Sequence, residues 1–494
     1  MADLHTLLDT DDLKAQALRR RQPMQRVLYE ALQLAVAHGR LQAGAALPSS
    51  RDLARDLGVA RNSVIYAYEQ LHAEGYVQTS RQGTVVAALR TAVPRPVARS
   101  NGQAGGATLA TRVQGVDRRR TPEDDLLPFM PGMPALDAFP VRTWQSLCER
   151  AARQGSPSEL GYRWSVGEPD LRQAIATYLR AARGVRCHPD QVMVTDGTQH
   201  SLALCAHLLA DAGDTVWIEH PGYGGARTAF AQAGLKQVPV TVDAQGISPS
   251  ASLWRTHAPR LIYTTPSHQY PLGSVLSLPR RLSLIEQARQ TGAWILEDDY
   301  DSEFRHDGPP LSAMQGQVED APVVYLGTFS KSMFPALRLG FIVWPAALAD
   351  RAAGVAGALV RGGRTTEQRA LAAFIDEGHF TRHLRKMRRL YALRQATLRD
   401  ALLQHWPWPG TVLGGQAGLH LVLSLPLTPS PGSSVPDVAL ADAAYEQGLS
   451  PRPLSLYGTG GIAGFNGLVM GYANTHEDAM ADKVRQLVAC ALQR

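Results

Sequence analysis

The sequence predicts two unequal parts: a small helical domain closed by a β-hairpin, then a large α/β domain with a mostly parallel sheet flanked by helices. Three observations predict this. Stretches with helical spacing crowd the N-terminal segment and end in two short strand-like runs. From about residue 128 onward, short apolar runs alternate with helical patterns. The positive charge is concentrated upstream of that point. At 494 residues the chain exceeds one ordinary hydrophobic core, so more than one domain is expected.

Residues 23–40 read as a helix. Pro23 stands at its start, and Val27, Leu28, Ala31, Leu34 and Ala35 share a face. Ser49 or Ser50 caps a second helix, Arg51 to Leu57, with Leu53, Ala54 and Leu57 inward and Gly58 ending it. Arg61-Asn62-Ser63 opens a third, with Val64, Tyr68 and Leu71 inward and Gly75 closing it. Tyr76–Thr79 and Thr84–Ala87 form a hairpin around Arg81-Gln82-Gly83. Together they make a winged helix-turn-helix over residues 13–88, the third helix suited to the major groove and the wing to the backbone. Arg51, Arg61, Asn62, Ser63 and Arg81 are the candidate contacts to double-stranded DNA.

Charge agrees with this. Residues 1–12 carry four Asp and no Lys or Arg, residues 13–120 carry 17 basic and 6 acidic side chains, and the rest carries 33 and 34. That distribution suits a polyanion-binding module on a nearly neutral body; a solvated basic face is the other reading. Residues 89–127 lack any apolar period and include Arg118-Arg119-Arg120. They read as a flexible linker, either a plain tether or one whose basic tail helps to hold DNA.

Beyond residue 128 the strand candidates are Val192–Val194, Thr215–Ile218, Arg260–Tyr263, Ala293–Leu296 and Val323–Leu326. Chemistry follows four of them. Lys331 lies in Thr328-Phe329-Ser330-Lys331, with Arg338 seven residues on. A lysine amine can form an imine with an aldehyde, and Thr328, Ser330 and Arg338 can hold a phosphate. An exposed surface lysine is the alternative. Asp298 and Tyr300 follow another strand, where an acid can pair with a pyridine nitrogen and a tyrosine with a phenolic oxygen. Gly197-Thr198-Gln199 starts a helix whose N–H groups suit phosphate, and Tyr223, on a turn, can stack on a flat ring.

Two resemblances join these pieces. Leu47-Pro48-Ser49-Ser50-Arg51, through Ala60–Leu71 to Glu74-Gly75-Tyr76-Val77, resembles the GntR-type winged helix. Gly197-Thr198-Gln199, Pro221-Gly222-Tyr223, Pro266–Gly273, Asp298-Asp299-Tyr300, and Ser330-Lys331 with Leu337–Gly340 occur in an order that resembles fold-type-I aminotransferases over residues 128–494. Where those enzymes have Asn-Pro-x-Gly, this chain has Tyr270-Pro271-Leu272-Gly273, preceded by Ser267-His268-Gln269. That form is similar to the MocR (GabR-like) regulators, which fuse both modules.

The resemblance implies pyridoxal 5′-phosphate as an internal aldimine on Lys331, and a homodimer in which Tyr162 reaches the partner's cofactor phosphate. Arg452 is the position nearest the family's substrate-carboxylate arginine; a surface arginine is the other reading. It further implies a regulator responding to an amino-group effector or to the cofactor itself. A working aminotransferase with a regulatory or vestigial N-terminal module is the rival. His379 and His383 share a helical face but lack the metalloprotease glutamate, so no metal site is expected. Cys148, Cys187, Cys205 and Cys490 show no Cys-x-x-Cys spacing and read as free thiols. No apolar run of membrane-spanning length and no signal-like start occurs, so a cytoplasmic protein is expected.

Overall fold

The computed structural model describes residues 8–80, 83–88, 110, 122–306, 308, 311–427, 436–459 and 464–492. The chain divides into two compact units, Met1–Thr108 and Leu109–Arg494.

The first unit contains α1 (Thr10–Arg20), α2 (Met24–Ala37), α3 (Ser50–Asp56), α4 (Arg61–Ala73), β1 (Val77–Ser80) and β2 (Gly83–Val86). Asp9 caps α1, and the Ser49 hydroxyl caps α3 by accepting from the Asp52 N–H at 3.2 Å. The core joins Val27, Leu28 and Leu32 of α2 to Leu53, Val64 and Leu71, and Val77 and Val86 bring the hairpin onto it. On α2 the burial stripe differs from the sequence reading by one position: Leu34 is exposed, while Leu32 and Val36 are inside. Both settings satisfy helical periodicity, and contact with α4 selects between them. Strands β1 and β2 pair antiparallel from Val77↔Val86 to Ser80↔Gly83.

The second unit begins earlier than residue 128. A 3₁₀ turn at Pro122–Leu126 is packed: Tyr445 donates to the buried Asp124 at 2.6 Å, and Asn474 donates to the Leu127 carbonyl at 2.8 Å. Then come α5 (Val141–Arg153), α6 (Pro169–Arg183), β3 (Val192–Thr195), α7 (Thr198–Leu209), β4 (Thr215–His220), α8 (Gly224–Gln232), β5 (Lys236–Asp243) and β6 (Gly246–Ile247). The middle runs α9 (Ala251–Thr256), β7 (Leu261–Thr264), α10 (Leu278–Thr291), β8 (Trp294–Asp299), β9 (Val323–Thr328) and β10 (Gly340–Val343). The last part holds α11 (Ala346–Leu359), α12 (Thr365–Asp376), α13 (His379–His405), β11 (Thr411–Gly414), β12 (His420–Ser424), α14 (Asp437–Glu446), β13 (Arg452–Pro453), β14 (Gly467–Gly471) and α15 (Met480–Leu492).

The large sheet has the order β3-β10-β9-β8-β7-β4-β5-β6. The central pairs β9–β8, β8–β7, β7–β4 and β4–β5 are parallel, and β10 runs antiparallel to both β3 and β9. Both faces are covered. Val324 and Leu326 enter one core and Tyr325 the opposite one, which is why β9 is buried throughout. A smaller antiparallel sheet, β11-β12-β14-β13, completes the unit. Among the described residues, no helix is long and apolar enough to cross a membrane.

Candidate functional site

Parallel strands deliver their carboxyl ends to one edge of the sheet, and side chains that follow β7, β8 and β9 converge there. They line a cavity of about 310 Å³ with Lys331 and Asp298 in its walls. Thr198, Gln199, Tyr223, Tyr300, Thr328, Ser330 and Arg338 line it as well. The sequence-predicted residues are thus gathered at one place, with three exceptions.

Gly197 is the first. It caps α7 from behind at φ +90°, and a Cβ added there would stand 3.9 Å from the Arg338 guanidinium. Its contribution is the tight start that aims the first-turn N–H groups of α7. Tyr162 is the second. It is 83% exposed, with the Arg361 guanidinium 4.6 Å over its ring. Arg452, the third, is half-buried on β13 and does not line the cavity. Its charge nonetheless acts on Tyr270 and Tyr457, whose hydroxyls meet at 3.1 Å.

One end of the cavity is built for an anion. The start of α7, Thr328, Ser330 and Arg338 face it. The Ser330 N–H donates to the Thr328 hydroxyl at 3.2 Å, which turns the loop back on itself. Arg338 adopts a left-handed conformation (φ +53°) after the turn Pro335–Leu337. Arg364 holds that turn by donating to the carbonyls of Leu337 and Arg338, each at 2.9 Å.

The other end carries the acid. Asp298 is buried, Tyr263 donates to its Oδ2 at 2.7 Å, and its Oδ1 has no partner. Burial pushes the Asp298 carboxyl up to about 7; the Tyr263 hydrogen bond opposes this, while Asp299, Glu219 and Asp301 reinforce it. A buried acceptor without a donor is costly, and a protonated ring nitrogen would satisfy it. Lys331 lines the same cavity. Burial pulls its amine below the ordinary lysine value, while Asp301, Asp125 and Asp298 pull the other way. Gly132, at φ +75°, is the close neighbour of this amine: an added Cβ would stand 2.9 Å from Nζ. Tyr223 forms a side wall, and Gln199 donates to its hydroxyl at 3.2 Å.

Several lining residues had no role in the sequence reading. Tyr263 ends a strand run that was recognised only as apolar. Thr265 donates its hydroxyl to buried Glu219 at 2.7 Å. Met130, Pro131 and Gly132 close the cavity from a segment far upstream. His379 stacks on Phe374, and His383 packs edge-on to Phe139.

In the first unit, Arg51, Arg61 and Asn62 are exposed and Ser63 is half-exposed at the start of α4. Arg61 reaches back to the Ser50 hydroxyl at 3.4 Å. Arg81 and the Arg118–Arg120 run lie outside the described residues.

The model of the bacterial regulatory proteins of the gntR family matches residues 24–86, and that of aminotransferase class I and II matches residues 138–458. The probable rhizopine catabolism regulatory protein MocR of Rhizobium meliloti is 41% identical over 94% of this chain and 93% of its own length. The pyridoxine biosynthesis transcriptional regulator PdxR of Corynebacterium glutamicum is 32% identical over 92% of each. Among solved structures, the α-aminoadipate aminotransferase LysN of Thermus thermophilus superposes with a TM-score of 0.66 at 26% identity, over 74% of this chain and 92% of that one. With both modules matched in order and a regulator aligned nearly end to end, the chain belongs to the MocR family, in which a GntR-type winged helix is fused to a fold-type-I aminotransferase-like domain.

Proposed function

We propose that this protein is a pyridoxal 5′-phosphate-dependent transcriptional regulator that binds operator DNA as a homodimer and senses an amino compound, or the cofactor itself. The observation that carries this is the joining, in one chain, of a basic winged helix to a cavity lined by a half-buried lysine and by a buried acid with an unsatisfied oxygen.

The residues present fit the cofactor. Asp298 Oδ1 lacks the donor that a pyridine N–H would be, the Gly132 and Gly197 backbones leave room, and the anion end suits a phosphate. When bound, the cofactor supplies an aldehyde for a lysine amine and a ring that withdraws electrons. This chain's residues do the rest. Thr198, Ser330, Thr328 and Arg338 would hold the phosphate, and Tyr162 of each subunit would serve the partner's phosphate. Asp298 would pair with the ring nitrogen, Tyr223 would lie against the ring, and Tyr300 would meet the phenolic oxygen. Lys331, its amine pulled below the ordinary lysine value by burial, would be the residue placed to bond the aldehyde and, when not bonded, to take or give up a proton. Arg452 is the candidate cation for an effector carboxylate.

Arg51, Arg61, Asn62, Ser63 and Arg81 form the DNA contact, and two copies in a dimer read two half-sites. A DNA-bound regulator works in the cytoplasm. The relatives' names, rhizopine catabolism and pyridoxine biosynthesis, suggest small amines or vitamin B6 compounds as effectors.

The rival reading is a working aminotransferase, supported by the presence of both Lys331 and Asp298. It is the weaker one: 2-aminoadipate transaminase of Thermus thermophilus is 28% identical over 74% of this chain, against 41% over 94% for the regulator. The test is Lys331→Ala. The variant is expected to lose the visible cofactor band and the ligand response in a DNA shift assay while retaining DNA affinity. A ligand response equal to wild type overturns the sensing mechanism.

A further inference from the structure

Next to the cavity lies a polar cluster of which the proposed function uses Tyr300 alone. His268 follows β7, Tyr300 and Asp301 follow β8, and His420 opens β12. His268 Nδ1 stands 3.1 and 3.0 Å from the two Asp301 carboxylate oxygens and 3.0 Å from the Tyr300 hydroxyl. That hydroxyl also lies 3.0 Å from the His268 carbonyl. His268 Nε2 and His420 Nδ1 have no partner, and His420 Nε2 meets the Pro271 carbonyl at 2.9 Å. Gly418, at φ +84°, presses its backbone against this group; a Cβ there would collide with both His268 and Asp301.

The arrangement selects a tautomer. Asp301 is a buried carboxylate whose hydrogen-bonding partner is His268 Nδ1, so the imidazole proton belongs on Nδ1. An Nδ1–H cannot accept from Tyr300. The tyrosine oxygen instead accepts a share of that N–H, and its own proton can swing from the His268 carbonyl toward the cavity that Tyr300 lines. With the proton on Nε2, Nδ1 would take the tyrosine proton and turn it away.

We propose that His268, oriented by Asp301, is a positioning residue that keeps the Tyr300 hydroxyl free to donate to the phenolic oxygen of a cofactor, and so lowers the proton affinity of the imine formed at Lys331. This rests on the cofactor reading above. Other charges face the same groups. Tyr300 feels Asp301, Tyr270, Asp298 and Glu219; Asp301 feels Asp299 and Lys331; Tyr472 feels Asp301; His420 feels His268 and Lys331. Burial holds His420 neutral, pushed down to about 3, so it adds no competing charge near neutral pH.

The experiment is a pH titration of the visible band of the full-length protein loaded with pyridoxal 5′-phosphate. Tyr300→Phe removes one hydrogen bond to a charged oxygen and is expected to raise the midpoint by about one pH unit. His268→Ala raises it by a similar amount, and the double variant rises no further than Tyr300→Phe alone. His268→Asn restores a donor near the Nδ1 position and returns the midpoint toward wild type.

Asp301→Asn is the discriminating variant, because it is isosteric. Losing only a negative charge near the imine lowers the midpoint, whereas losing tautomer control raises it. A rise supports the proposal. A fall in Asp301→Asn, an unmoved midpoint in His268→Ala, or additivity in the double variant overturns it. Borohydride reduction and mass measurement on the wild type separate the two levels. An absent phosphopyridoxyl adduct on Lys331 removes the cofactor reading and this proposal together. An adduct with unmoved midpoints removes this proposal alone.

Discussion

At the level of single residues, the site is governed by what burial does to charge. Asp298 holds its proton in the fold up to about 7, against 3.8 when unburied. Between those values the folded state binds more protons than the unfolded one, so this group's contribution to stability is present at low pH and lost as pH rises through 7. Glu303, pushed to about 7 by its own burial, acts in the same direction. Cofactor-free wild type is therefore expected to lose stability as pH rises from about 4 to about 7. Asp298→Asn flattens that slope in thermal melts, and an equal slope in both proteins assigns it elsewhere. Gly132→Ala is expected to lower cofactor loading, read from the visible band, because its Cβ would crowd Nζ at a positive φ. Lys331, Thr328, Ser330 and Arg338 were legible in the sequence because one short loop carries them in fixed spacing. Tyr263, His268 and Gly132 were not, because their roles arise only when distant segments meet.

Elements were legible to the degree that they carry their own signals. Ser49 announces α3, Pro23 announces α2, and Gly197 announces α7. Helix α1 was missed: its mostly polar sequence buries Leu13 alone, so no apolar face betrays it. The Leu32/Leu34 choice on α2 was open to local pattern and was made by packing against α4. The small sheet β11–β14 escaped notice because its strands are short and antiparallel, without crossover helices to frame each one. Ser49→Ala removes the cap of α3 and is expected to cost about 1 kcal/mol. Leu28→Ala opens the centre of the winged-helix core and costs about 2–5 kcal/mol. Both are read as loss of DNA binding on warming while the cofactor band persists. Simultaneous loss of both signals contradicts the independence of the winged-helix core.

For the whole molecule, charge placement is the feature that composition alone conceals. A net charge of +6 looks modest, yet residues 13–120 hold 17 of the 50 basic side chains and only 6 of the 44 acidic ones. DNA affinity is accordingly expected to fall steeply with salt. Arg61→Ala is expected to weaken operator binding by about 1–3 kcal/mol if it reads a base, or to reduce the salt slope by about one if it holds a phosphate. Unchanged affinity and slope in a salt-controlled shift assay removes α4 as the reading helix. A Cβ on Gly132 would crowd the amine of Lys331, Asp125 acts on that amine's charge, and Tyr445 pins Asp124, so residues 124–132 are tied to the cavity and to α14 at once. One wall of the cavity is therefore a segment that is fastened elsewhere in the same unit. A bound group that pressed on this wall would press on the segment's fastening as well.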